Sequence, residues 1–407
     1  MVQKTFVTHK TSNRSYGGFN EFISCYYSPC DGFQIFAHLL PAHKFWKDGL
    51  GVLYFIHILI FSIMQKLKSL QTLLRQKKIN AFLVSKPENL FYLCGFRGTN
   101  GTLLVTPKKY ELITDTRYFY TAKKLKLPYF DQEKGLKKLL GQYDQIAFEQ
   151  NEVTVGKLKK WKKLVPGPKW RGVSGLVEQL RLIKSPDEIK LIRKATKMAV
   201  RALELFKKTV QLGQSEDEME WNLLKVVREV GADGFSFPPI ITFGKETADI
   251  HHQKGNNRLK KGQQMLLDFG LIYKGYITDM TRMFYLQKPT KKLQEIHEVV
   301  QKAHQAAIDS IEVGKSLKKV DAAARQVIEQ AGYGDYFTHS TGHGTGVEVH
   351  EAPTVSTKSK EKVQANMVFT IEPGIYVENL GGVRIEDMVW VKPDGKVEML
   401  TEWGRGV

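Results

Sequence analysis

Cysteine is scarce in this chain: three thiols in 407 residues, at positions 25, 30 and 94. That excludes a disulfide framework, and Cys25 and Cys30 lack the further partners that a thiolate zinc site needs. A reducing cytoplasm is the expected compartment. A membrane-length apolar run is missing too. The stretch at 50–63 is interrupted by His57 and falls short of the roughly 20 apolar residues that a span requires. It also lies too far from the amino terminus for the apolar core of a signal peptide. Acid is short relative to base, 42 Asp and Glu against 61 Lys and Arg, for a formal charge of +19. Such a balance attracts phosphate. Yet the lysines, for example Lys123, Lys124 and the five within 157–163, are scattered over helices of solvent type, and no nucleic-acid motif accompanies them, so no nucleic-acid partner is expected.

What is present is enough apolar content, 42%, for substantial cores, at a length that suggests two or three domains. Residues 1–63 show no clear periodicity and stand apart as an atypical leader. We expect translation to begin at Met64, the rival being a genuine membrane-tethering leader. Residues 64–184 alternate apolar strand-like runs with helices rich in Lys and Leu, which predicts an α/β amino-terminal domain. Ser185, Pro186 and Glu188 form an N-cap, a first-turn proline and a capping-box acid. They open a long helix and a second domain, 185–407.

That second domain holds the chemistry. Asp268 sits inside the apolar run 265–270, and Asp279 inside the β-rich run 276–284. The two runs predict a hairpin with a turn near Tyr273 and Lys274, setting the acids opposite each other at roughly 4.5–5.5 Å. Glu372 and Glu386 repeat the arrangement about a turn at 378–382 centred on Asn379. Period 2 there puts Arg384 on the face of Glu386, where it could orient a ligand, and Val383 and Ile385 on the other. Four acids in apolar strands cost several kcal/mol each to bury unless a cation meets them, and Arg282 and Arg384 are the only bases within these strands. His339, His343 and His350 fall within twelve residues of one another, among Gly342, Gly344 and Gly346. His251 and His252 lie seventeen and sixteen before Asp268, and one of that pair is expected to be a spectator. Four carboxylates and one imidazole (Asp268, Asp279, His343, Glu372, Glu386) suit Mn, Co or Zn, and a metal pair would neutralise the acids.

A duplication is also visible. Gly213-Gln214-Ser215 and Gly314-Lys315-Ser316 each begin a helical segment that ends eighteen residues after its first glycine, at Gly231 and Gly332. The offset of 101 predicts two αββ halves around a central site.

With Asp268 eleven before Asp279, His343 seven before His350, and Glu372-Pro373-Gly374 leading to Arg384-Ile385-Glu386, the chain resembles the pita-bread metallopeptidases. Within them it resembles the Xaa-Pro group, aminopeptidase P and prolidase. The resemblance covers roughly residues 64–407 and implies an α+β fold: two pseudo-repeated αββ halves preceded by a smaller, creatinase-like amino-terminal domain. It implies that Asp268 binds one of two divalent ions, Asp279 and Glu386 touch both, His343 caps one, and Glu372 is a ligand beside the attacking water that shuttles its proton. By the same resemblance His251 lies beside the scissile amide, His350 stabilises the oxyanion, His339 belongs to the proline pocket, and Tyr376 and Arg384 support the site. Ile250 stands where the family often has proline, so His251 is chosen on its spacing to Asp268. Asp115-Thr116-Arg117-Tyr118 resembles a segment of the family's amino-terminal domain that shapes substrate access and the dimer. The resemblance implies a peptide substrate with proline second, manganese, a homodimer, and no membrane unless the leader is real. Aminopeptidase P and prolidase both remain open. A methionine aminopeptidase-like enzyme and a non-catalytic binding module are the alternatives; the complete ligand set stands against the second.

Overall fold

The computed structural model describes residues 50–403, apart from 133 and 135, together with two short strands, Ser24–Ser28 and Gly32–Phe36; side chains are described from Ile63. The two strands pair antiparallel. Most of the expected leader lies outside the described residues; its end, 50–63, belongs to the helix Leu50–Gln76, which runs on through Met64, and among the described residues no helix is long and apolar enough to cross a membrane.

From Ile63 onward the first element of tertiary structure is a six-stranded mixed sheet in the order Tyr129–Asp131, Tyr110–Thr114, Gly101–Val105, Phe82–Val84, Gln145–Glu149, Lys169–Val173. Its central strands, Phe82–Val84 and Gln145–Glu149, are buried almost throughout, as in a sheet covered by helices. Leu67, Leu70 and Leu74, at helical spacing, cover one face; Leu139, Trp161 and Val165 cover the other.

The helix Pro186–Lys207 begins where its cap signal sits. Ser185 Oγ accepts from the Glu188 amide, and the Glu188 carboxylate accepts from the Ser185 amide. Its apolar stripe, Ile189, Ile192, Ala195, Ala199 and Leu203 among others, is buried.

The duplication is physical. Helices Glu216–Glu229 and Leu317–Gln330 have 14 residues each, are capped by Ser215 and Ser316, and are flanked by glycines at positive φ: Gly213 (86°) and Gly231 (86°), Gly314 (87°) and Gly332 (82°). Each cap serine bridges back to a later strand-like segment, Ser215 to Arg258 and Ser316 to Lys362. Pro186–Lys207 with Glu216–Glu229 covers one sheet, and Lys291–Asp309 with Leu317–Gln330 the other. The first is Ile240–Phe243, Gln264–Phe269, Met280–Tyr285; the second is Glu351–Val355, Gly342–Gly344, Val368–Ile371, Asp387–Val391, Val397–Met399. The two sheets meet at a bridge between Thr281 and Glu386. The acids of both hairpins therefore converge on one seam. The architecture is α+β, an amino-terminal sheet domain followed by two repeated halves.

Candidate metal centre

The first hairpin needs a correction. Its turn is Lys274-Gly275, with Tyr273 paired to Tyr276 and φ of 50° and 86° at the two central residues, the signature of a type I′ turn. This centre lies one residue later than the midpoint between the acids. Asp268 therefore faces Thr281, not Asp279, and Asp279 is its diagonal neighbour at a wider spacing. Both acids remain on one side, because Asp279 and Thr281 are two residues apart. The turn is set by the positive φ of Lys274 and Gly275, and Gly275 also packs so tightly on Phe91 and Arg97 of the amino-terminal region that a Cβ there would overlap both.

The second hairpin follows the expected register. Asn379 has φ of 63° and Gly381 of 125°. The pairs Ile371 with Asp387 and Gly374 with Arg384 place Glu372 across from Glu386. Val383 and Ile385 go into the core, and Arg384 points to the ligand side.

Asp279, His343 and Glu386 offer donor atoms that all lie within 4.8 Å of one another. His343 Nε2 is 3.2 Å from Glu372 Oε1 and 3.7 Å from Asp279 Oδ2. Its Nδ1 donates to the Gly344 carbonyl at 3.1 Å, which turns Nε2 toward the acids. Asp268 adjoins this cluster, near enough for its charge to act on Asp279 and Glu386, with Oδ1 buried and lacking a hydrogen-bond partner. A rail of hydrogen bonds backs it. Arg384 donates to Asp268 Oδ2 at 2.6 Å, to Thr281 Oγ1 at 2.9 Å and to the Tyr376 hydroxyl at 2.9 Å. Tyr376 in turn meets His339 Nε2 at 2.9 Å, since His339 Nδ1 donates to Ser340 O.

Electrostatics show what the cage demands. Burial, and then Glu386 and Asp268, push Asp279 well above the usual carboxylate range. Burial, then Glu372 and Asp268, do the same to Glu386, and burial raises Asp268 despite Arg384. Burial alone would raise Glu372, but the His343 hydrogen bond and charge outweigh it and hold Glu372 at about 2. Burial would lower His343, but Glu372 and Glu386 lift it to about 9. A buried carboxylate cluster in which three of four acids are pushed up, with a buried Asp268 oxygen that has no hydrogen-bond partner, fits divalent cations.

The remaining histidines separate. His350 stands with its ring 4.3 Å from that of His343. His252 is tied to Glu216 at 3.0 Å, the spectator's position, whereas His251 is exposed and near enough for its charge to act on His350. Sequence reasoning missed two hydroxyls: Thr281, which donates to Glu386 Oε2 at 2.7 Å, and Thr370, which donates to Glu372 Oε1 at 3.0 Å. Each lies two residues from an acid, so period 2 could have found them. It also missed the layer beneath Glu386, where Arg282 bonds Asp387 and the Glu386 carbonyl, both at 2.5 Å.

Comparison with known proteins follows the same division of the chain. Residues 190–393 match metallopeptidase family M24 and residues 66–183 match the creatinase/prolidase N-terminal domain. An uncharacterised peptidase of Staphylococcus epidermidis is 33% identical over 350 residues, 84% of this chain and 99% of its own length. A putative Xaa-Pro aminopeptidase of Mycoplasma genitalium is 32% identical over 83% of this chain and 97% of its own. Among solved structures, an Xaa-Pro dipeptidase from Bacillus anthracis is 33% identical with a TM-score of 0.81, covering 85% of this chain and 99% of that one.

Proposed function

The chain belongs to metallopeptidase family M24 and is a metallo-exopeptidase, and on that premise we propose that it releases the amino-terminal residue from peptides whose second residue is proline. The observation that carries this reading is the cluster of Asp279, His343 and Glu386, with Glu372 against His343 and Asp268 joined, through Arg384, to Tyr376 and His339. The relatives named for Xaa-Pro peptide bonds, matched over nearly their whole length, support it.

In this reading Asp268, Asp279, His343, Glu372 and Glu386 hold two divalent ions, most simply manganese. Such a pair supplies a water activated at neutral pH and polarises the scissile carbonyl. The residues of the chain do the rest. Glu372, ionised beside His343, accepts the proton of the attacking water and passes it to the leaving proline nitrogen. His350 donates to the carbonyl oxygen as charge develops there. His251 stands beside the scissile amide, and His339 with Tyr376 walls the proline ring. Arg384 fixes the Asp268 carboxylate. We place the domain junction at 184/185 and the enzyme in the cytoplasm as a homodimer.

The test is kcat/KM of the manganese-loaded full-length protein on Ala-Pro, Ala-Pro-Gly and Ala-Ala. Cleavage of the proline peptides at least about 100-fold faster than Ala-Ala is expected, a ratio that a shaped pocket can supply. Cutting of the tripeptide separates aminopeptidase P from prolidase. Preference for methionine-led peptides without proline would overturn the assignment.

A further inference from the structure

His350 is bracketed by two acids, Glu348 and Glu351, and one buried guanidinium holds both. Arg181, 2% exposed, meets Glu348 Oε2 at 2.6 Å and contacts Glu351 Oε2 directly. Lys184, also buried, bonds Glu351 Oε1 at 2.8 Å. On its far side Arg181 donates to Asn89 Oδ1 at 2.8 Å. The Asn89 amide then reaches Glu149 at 2.7 Å and Glu178 at 2.9 Å, while Lys86 closes the other edge on Glu348 at 2.5 Å. Lys86, Asn89 and Glu149 all come from the amino-terminal sheet region. Val347, in the same loop, packs against that region's core. Gly346 permits the loop's close approach, since a Cβ there would overlap the Glu351 carboxylate. The loop 345–351 is thus clamped at both flanks of His350, while the His350 side chain itself stays exposed beside His343.

We propose that this clamp is a positioning device: Arg181, Glu348 and Lys86 act through His350, so that the amino-terminal region sets the geometry of an acid–base residue in the cage. The inference rests on the role given to His350 above. Arg181, Glu351 and Lys184 are buried and each charge has an oppositely charged partner, which favours one arrangement, because leaving any of these charges without its partner is costly in a low dielectric. A loop so held loses few alternative positions on binding, and a misplacement of about 1 Å can cost roughly 100-fold in rate. None of the clamp residues is a member of the cage, so its loss should leave metal binding alone.

The experiment uses full-length protein with Glu348→Gln, chosen because Glu348 is the more exposed of the two acids; Lys86→Met is the second variant should Glu348→Gln fold poorly. Each is made alone and with His350→Ala. Three quantities are read: kcat and KM on Ala-Pro with manganese, manganese affinity by calorimetry, and hydrogen exchange of residues 345–351. The clamp predicts a fall in kcat of about tenfold or more with KM and manganese affinity within about twofold, faster exchange in 345–351, and no further loss when Glu348→Gln is added to His350→Ala, since a coupled pair is not additive. Undiminished kcat, unchanged exchange, or losses that simply multiply in the double variant would overturn it. If His350→Ala alone keeps full activity while the wild type cuts Ala-Pro, the role of His350 falls and takes the clamp's catalytic purpose with it. If the wild type leaves Ala-Pro intact, the substrate reading fails instead, and unchanged exchange in 345–351 would still refute the clamp.

Discussion

Arg384 donates to Asp268 Oδ2 at 2.6 Å while its other nitrogens hold Thr281 and Tyr376; a candidate ligand of the first half of the fold is thereby oriented by a strand of the second. The two halves cannot assemble the cage separately. A planar fork serving three acceptors is a task for arginine and not for the point charge of lysine. Arg384→Lys is therefore expected to lower manganese affinity or activity about 10- to 100-fold with little change in fold. Calorimetry and initial rates check this; unaltered affinity and rate would refute the orienting role.

Metal loading should release protons. Burial holds Asp279 and Glu386 well above the usual carboxylate range, helped by Glu386 and Asp268 at the first and by Glu372 and Asp268 at the second, so a cation entering the metal-stripped site is expected to displace protons. Manganese affinity then rises with pH above the ordinary carboxylate range. The same raised values mean that in metal-stripped protein their contribution to stability is present at low pH and is lost as pH climbs through the folded values. Asp279→Asn should remove part of that loss. Calorimetry in buffers of different ionisation enthalpy measures the released protons, and a proton count of zero contradicts the account.

Glu351 carries the opposite sign. Burial opposes its charge, but Lys184 and Arg181 outweigh burial and lower its pKa. Its contribution is therefore full above the unfolded carboxylate pKa and disappears as pH falls below it. Glu351→Gln leaves two buried cations short of a partner, at a cost of about 3–5 kcal/mol. Urea denaturation at neutral pH should show this loss, and the difference from wild type should shrink in acid.

The repeated helices make a paired comparison. Ser215 accepts from the Glu218 amide and is capped reciprocally by the Glu218 side chain. Ser316 accepts only from Lys318 N, at 3.3 Å. Ser215→Ala should cost about 1 kcal/mol and Ser316→Ala less, both read from urea midpoints with unchanged slopes. Equal losses would show that the second half of the capping box adds nothing.

Legibility in the sequence followed the range of the interactions. The candidate ligands stand out because carboxylates in apolar strands are conspicuous, and the second turn is where the sequence places it because Asn379 and Gly381 adopt the positive φ their residue types allow. The first turn was centred on the acids rather than on Lys274 and Gly275, hence its error of one residue. Thr281 and Thr370 were within reach of the same periodicity. The Arg181 clamp was not, since its partners are 167 and 170 residues away and nothing local marks a buried arginine.

The measurement that bears most directly on the central claim is the rate of Ala-Pro hydrolysis as manganese is titrated into metal-stripped, full-length protein, beside Asp279→Ala. Activity that rises to a plateau near two ions per chain, and is absent from the variant at every concentration, is the result expected. Hydrolysis that persists in the stripped protein or in Asp279→Ala would contradict a reaction run from this cage.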